Sequence, residues 1–405
     1  MICGRNKDEN GFSLLELLVV MALFTLIITA ASQSFMTMMS DFKQQSRVAS
    51  SNIEGLVGLE VFRRDINSAG FGLYWQLDSR FGTSFAFPPV LYSEVDASES
   101  ANGSLLNDTG LDAPRGLAIL PGLELNGSDR LAIRSVNVVG NEGSEKWTYG
   151  RVETANFYYT WPTAKLNIND EDYVVLVKPF DKDRRYLLAT DKGPITASAK
   201  NYAVKYKDLK AGIASVHNTA GGLTEFGADT TFTVFSLGTT AIPKMPFNRA
   251  DYYVLRPADM PERCAQGTGI LYKAVVNQQG KGYLPALPLL DCVADMQVAV
   301  RYFDPDTNQV SGTSEVSLDD EKKTRWIREV RVYILAHEGQ VDRNYTHQDR
   351  IMRVGESLVK GDKYPFGHDL DLSTLTSNWA MYRWKLYTII IRPLGLMTWL
   401  EYPES

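Results

Sequence analysis

The sequence predicts an α+β protein. One long N-terminal helix, membrane-spanning in its first half and amphipathic in its second, packs on a β-rich globular domain of antiparallel sheets. Three observations predict this. Residues 12–31 form an apolar run with one early carboxylate. Apolar positions then recur at helical spacing to about residue 68. From residue 71 onward, short β-type runs alternate with polar turns, and helical patterns are scarce.

The helix begins at Gly11-Phe12-Ser13-Leu14-Leu15-Glu16. From Leu17 to Ala31 there is no charge, and the only polar side chains are Thr25 and Thr29. The run from Phe12 is about as long as the ~20 apolar residues a bilayer core requires. A charge inside such a run costs roughly 2.5–3.5 kcal/mol on insertion scales, so Glu16 calls for a partner. Glu16 lies four residues after Phe12, on the same helix face.

Beyond Ala31, Phe35, Met39, Phe42, Ala49, Ile53, Leu56, Leu59, Phe62 and Ile66 recur at three, four or seven residues. That is the stripe of an amphipathic helix, with Gln44, Arg47, Ser51, Arg63 and Asp65 between its members. A helix over residues 12–68 would be roughly 85 Å long. Gly55 and Gly58 read as weak points where it bends, and Gly70 and Gly72 as its end. The expected organisation is a leader at 1–11, the helix at 12–70 with its span to about residue 31, and a β-rich domain at 71–405.

In that domain, residues 96–116 read as a long polar loop. Strands are expected at Arg130–Val139, Glu153–Thr160, Tyr173–Phe180, Arg185–Thr190, Thr230–Leu237, Tyr252–Arg256, Ile270–Val276, Val298–Phe303, Glu329–Ala336 and Arg383–Arg392. Pro243 and Pro246 suggest a division into two lobes near residue 245. The net charge of −6 argues against a nucleic-acid scaffold, and no nucleic acid is expected as a partner.

The Gly11–Glu16 stretch and its apolar run resemble the class III signal of type IV prepilins and type II secretion pseudopilins. The resemblance implies that prepilin peptidase cuts after Gly11 on the cytoplasmic side and methylates the new N-terminal Phe12. Glu16 would then be the glutamate five residues into the mature chain, facing an amine on its own or a neighbouring subunit. Such a pair largely offsets the desolvation of both charges, so Glu16 reads as a device of assembly register. The alternatives are an ordinary secretory signal cut after Ala31, and a plain signal anchor in which Glu16 has no role.

Further segments resemble the minor-pilin group PilW, and more loosely minor pseudopilins of the secretion J type. They are Arg64–Gly72, Ala250–Arg256 with Cys264, Leu289–Val298, Trp326–Val332 and Tyr382–Arg392. The resemblance says least about residues 75–250. It implies a non-catalytic minor pilin that primes or caps pilus assembly. Its partners would be the peptidase, other major and minor pilins through the N-terminal helix, and an inner-membrane platform. Its domain would lie in the periplasm before assembly and at the cell surface afterwards. A minor pseudopilin of a type II secretion system is the alternative within that class; a membrane-anchored periplasmic enzyme or binding domain is the alternative outside it.

Cys3 lies ahead of Gly11, which leaves Cys264 and Cys292 in the domain. An even pair in a non-cytoplasmic compartment points to a disulfide, with two buried free thiols as the alternative. Chemistry is sparse elsewhere. His217, His337, His347 and His368 have no metal-ligand spacing and read as isolated surface or loop residues. No cofactor is expected. One loop, Asp304, Asp306, Asn308 and Glu315, matches positions 1, 3, 5 and 12 of a calcium loop. Gln309 stands where that loop needs glycine, so a solvated hairpin is the favoured reading and calcium the weaker one.

Overall fold

The computed structural model describes residues 13–74, 76, 77, 92, 94–108, 114–151, 157–181, 184–187, 202–211, 231–304, 309–313, 327–356 and 366–396. The chain forms two compact units, Met1–Ile53 and Glu54–Ser405. Helix α1 runs Leu14–Asn67, close to the expected limits. Its end follows from glycine chemistry: Gly70 and Gly72 adopt φ of +79° and +73°, which favours residues without Cβ. The Gly70 N–H donates to the Arg134 carbonyl at 2.9 Å, which fastens the turn to the sheet below.

Within the second unit, the buried face of α1 carries Gly55, Gly58, Leu59, Phe62, Asp65 and Ile66. Two expectations are corrected here, and the helix continues through both Gly55 and Gly58. They are contact points: a Cβ at Gly58 would lie 1.8 Å from the Leu289 carbonyl oxygen, so only glycine lets the backbones approach. Leu56, counted in the apolar stripe, is 63% exposed. Asp65, counted among the outward polar residues, is 1% exposed. The close approach at Gly55 and Gly58 turns those two positions inward, so Leu56 points away.

Strands are numbered along the chain. One sheet has the order β1-β7-β6-β9-β4-β5, with β8 beside β6. These are β1 Gln76–Leu77, β4 Trp147–Arg151, β5 Phe157–Tyr158, β6 Tyr173–Asp181, β7 Arg184–Leu187, β8 Val204–Lys205 and β9 Thr231–Ser236. Its pairs are antiparallel apart from β1 with β7. A larger sheet has the order β17-β14-β12-β11-β10-β3-β2, with β13 beside β12. Its members are β2 Leu117–Leu120, β3 Arg130–Ser135, β10 Asn248–Leu255, β11 Gly269–Val275, β12 Leu287–Asp304, β13 Gln309–Thr313, β14 Ile327–Glu338 and β17 Arg383–Ile391. All its pairs are antiparallel. Since β2 and β3 join strands that follow residue 245, sheet membership does not change at one point there.

The larger sheet forms the core with α1. Leu59, Phe62 and Ile66 pack on Ile133, Tyr252, Met296, Val298, Val332 and Ile334. Its other face is covered by a ribbon, β15 Ile351–Gly355 with β16 Gly367–Asp371, through Val354, Leu370, Tyr333 and Leu335. Burial on both faces is why β14 lacks a clean alternation of buried and exposed residues. The smaller sheet packs Val175, Val177 and Phe235 against Leu73, Tyr74 and Phe247. Its opposite face meets helix α3, Tyr206–Ala211, through Leu209.

Residues 96–116 are not simply a loop. The described part includes a short helix α2, Ala101–Ser104, capped by the Ser100 hydroxyl. It is held by a buried charge cluster. Arg134 and Arg249 sit directly opposite each other on β3 and β10, both fully buried. Glu94 pairs with both of them, Asp108 with Arg115 and Arg134, and Asp251 with Arg249. Burial works to raise the Glu94 pKa, but the two guanidinium groups outweigh it and hold the group below its ordinary value. Three cations against three anions leave the cluster neutral, which is how this polar segment lies on the sheet without an unpaired charge.

Candidate assembly site at the N-terminal helix

The first unit presents a helix start with its own cap. The Ser13 hydroxyl accepts the Glu16 N–H at 3.2 Å, closing the first turn. Ser13-Leu14-Leu15-Glu16 is the Ser-x-x-Glu pattern of a capping box, a local signal already present in the sequence. A carboxylate in the first turn also faces the positive end of the helix dipole. Glu16 is therefore compatible with the helix itself before any partner is considered.

From Leu14 to Met39 the helix is long and apolar enough to cross a membrane, with mean hydropathy 2.5 and none of that stretch buried. Its 26 residues rise about 39 Å, beyond the ~30 Å of a bilayer core. The threonines carry no exposed polar cost. Thr25 Oγ1 donates to the Met21 carbonyl at 2.7 Å, Thr29 to Thr25 at 2.7 Å, and Thr37 to Gln33 at 3.0 Å. Each hydroxyl is satisfied inside the helix, as an apolar medium requires.

The other residues singled out in the sequence are dispersed. Gly11 and Phe12 lie outside the described residues. Cys264 and Cys292 are joined, with Cα atoms 4.8 Å apart. The bridge ties the turn before β11 to β12, at the base of the hairpin they form. Cys292 adopts φ +56°, where β12 changes register against its neighbours. Asp304 ends β12, which pairs with β13 as a hairpin, while Asp306, Asn308 and Glu315 lie outside the described residues.

His337 is not a surface histidine. It is buried on β14 against Tyr382 and Trp384, and its Nε2 accepts the Ala265 N–H at 2.9 Å, beside the disulfide. Burial pushes its pKa down to about 3, so the ring is neutral and can accept. His368 on β16 pairs with Asp295 at 3.4 Å. Among the described residues no group of three or more His, Cys, Asp or Glu could hold a metal ion.

Residues 6–32 match the prokaryotic N-terminal methylation motif. That makes the N-terminus type IV pilin-like. The prepilin-type signal thus covers the capped start and most of the apolar helix, and it implies processing by prepilin peptidase and assembly with pilins. No curated protein and no solved structure matches the chain.

Proposed function

We propose that this pilin-like chain is a minor type IV pilin, a non-catalytic subunit that primes or caps assembly. The observation that carries this is a prepilin-type signal on a helix whose other end is built into a large β-rich unit. Gly11 would precede the scissile bond, and Phe12 would become the methylated N-terminus. The Phe12 amine would give the Glu16 carboxylate its cation, in its own subunit or the next.

Size supports low copy number. Helices in contact pack about 8–10 Å apart. A unit as long as Glu54–Ser405 has a radius of gyration of about 20 Å by size scaling. Successive identical copies at helix spacing would crowd, whereas a copy at a filament end has free space on one side. The disulfide fits a domain exported to the periplasm before assembly.

The test is deletion of the gene with pili, twitching and secretion scored separately. Loss of surface pili with normal secretion is expected. Loss of secretion with normal pili would replace this reading with a secretion pseudopilin, and no change in either would refute an assembly role.

A further inference from the structure

We propose that the smaller sheet carries a binding site for oligosaccharide, formed by four aromatic side chains on its edge hairpin and the cleft beside them. Strand β4 presents Trp147 and Tyr149 on one face, 39% and 36% exposed. Opposite them, next to β5, stand Trp161 and Tyr159. Trp147 meets Trp161 edge to face at 5.1 Å, Tyr149 stacks on Tyr159 at 4.9 Å, and Tyr159 meets Trp161 at 4.9 Å. The Trp161 Nε1–H donates to the Trp147 carbonyl at 2.8 Å, and the Tyr159 N–H to the Tyr149 carbonyl at 3.0 Å. The block is thus pre-organised before any ligand arrives.

This surface runs into a cleft of about 560 Å³. Trp147 pairs with Phe235 and Tyr149 with Thr233 across β4 and β9, so these side chains share a face. Phe235 and Thr233 line the cleft, together with Asn67, Ser68 and Asn137. From β9 through β4 to β5 the face spans about 10 Å at ordinary strand spacing, and the cleft extends it. That is room for a short chain of sugar rings.

The chemistry selects the ligand. Among the described residues, the cleft lining contains no formally charged side chain. A phosphate or nucleic acid would need cations there. The lining also includes Phe71, Leu73, Val177 and Leu394, so the hydroxyls and amides of Thr233, Ser68, Asn67 and Asn137, beside the four aromatic rings, are what favour a sugar over a purely apolar ligand. Sugars present C–H faces that stack on aromatic rings, and neutral hydroxyls that pair with Thr, Ser and Asn. Arg151, one outward position beyond Tyr149, adds a charge only at the rim.

The proposal stands independently of the pilin reading. The full-length protein in detergent would be screened on an array of neutral and acidic glycans. Tryptophan fluorescence would then be titrated with cellohexaose, chitohexaose and the strongest array ligand. Saturable binding that survives high salt is expected, with affinity at least tenfold weaker in Trp147→Ala and in Trp161→Ala. Should those variants melt early, Tyr149→Ser and the wild-type fluorescence change carry the same test. Absence of binding across the array would overturn the site. So would binding only to anionic chains that salt abolishes, or unchanged affinity in folded Trp147→Ala and Tyr149→Ser proteins.

Discussion

Removing the Asp65 carboxylate should unseat α1 from the larger sheet. Asp65 Oδ2 accepts from Lys273 Nζ at 2.5 Å and from the Tyr252 hydroxyl at 2.6 Å, and all three residues are buried. Burial, reinforced by the Asp65 charge, holds the Tyr252 pKa well above its ordinary value, so the phenol stays a donor. In Asp65→Ala the Lys273 ammonium remains buried without its carboxylate. Breaking a buried pair from one side costs about 3–5 kcal/mol, against a typical total stability of 5–15 kcal/mol. Replacing both charges, as Asp65→Leu with Lys273→Met, should restore stability to within about 1–2 kcal/mol of wild type, or exceed it. The assay is urea unfolding of a fragment beginning at Glu54, followed by circular dichroism, in a double-mutant cycle. A fragment beginning near residue 72 would lack Phe62 and Ile66, both fully buried, and is not suitable. An Asp65→Ala cost below about 1 kcal/mol, or a double variant as unstable as the sum of the singles, would refute the reasoning.

Protein recovered from the periplasm should show no alkylatable thiol at Cys264 or Cys292 under denaturing conditions, and reduction should lower its melting temperature. With 28 residues of separation, the chain-entropy effect is at most about 3–4 kcal/mol; two free thiols would contradict it. Burial pushes the Asp129 pKa up to about 7, against the Val298 and Gly122 N–H groups that favour its charge. The folded-state value exceeds the unfolded one, so this contribution is complete below about pH 4 and disappears as pH rises through about 7. Urea midpoints should accordingly decline across that window in wild type and flatten in Asp129→Asn; parallel profiles would show that another group is responsible. Glu16→Ala should leave membrane insertion intact or improve it, because a charge is removed from the apolar run. Recovery with partner pilins should fall; equal co-purification would separate Glu16 from assembly.

Local features of the fold were legible, and distant ones were not. The limits of α1 followed from apolar spacing and from Gly70 and Gly72. The expected strands in the described regions were largely found, because each is a short β-branched or aromatic run bounded by polar turns. Strand β12 was expected only from Val298, since Pro288, Asp291 and Cys292 resemble a turn; a register shift against β11 between Leu290 and Val293 carries the strand through them. The ribbon β15–β16 leaves little trace in the sequence, because its two strands are five residues each and pack on Tyr333 and Leu335 from elsewhere in the chain. Asp65 was placed outward because its partner Lys273 is 208 residues away. The pairing of Glu94 with Arg249 likewise leaves no local trace in the sequence. At the candidate assembly site the signal was read from Gly11, Phe12 and Glu16, while the Ser13 cap went unnoticed. The Trp147–Trp161 surface was invisible because strand pairing assembles it.

The most direct test of the pilin assignment is mass spectrometry of the N-terminus of protein isolated from membranes. The expected result is a chain beginning at Phe12 with one added methyl group, and in Gly11→Ala largely the uncut precursor. A mature chain beginning at Ser32, or a wild-type chain still carrying residues 1–11, would contradict it.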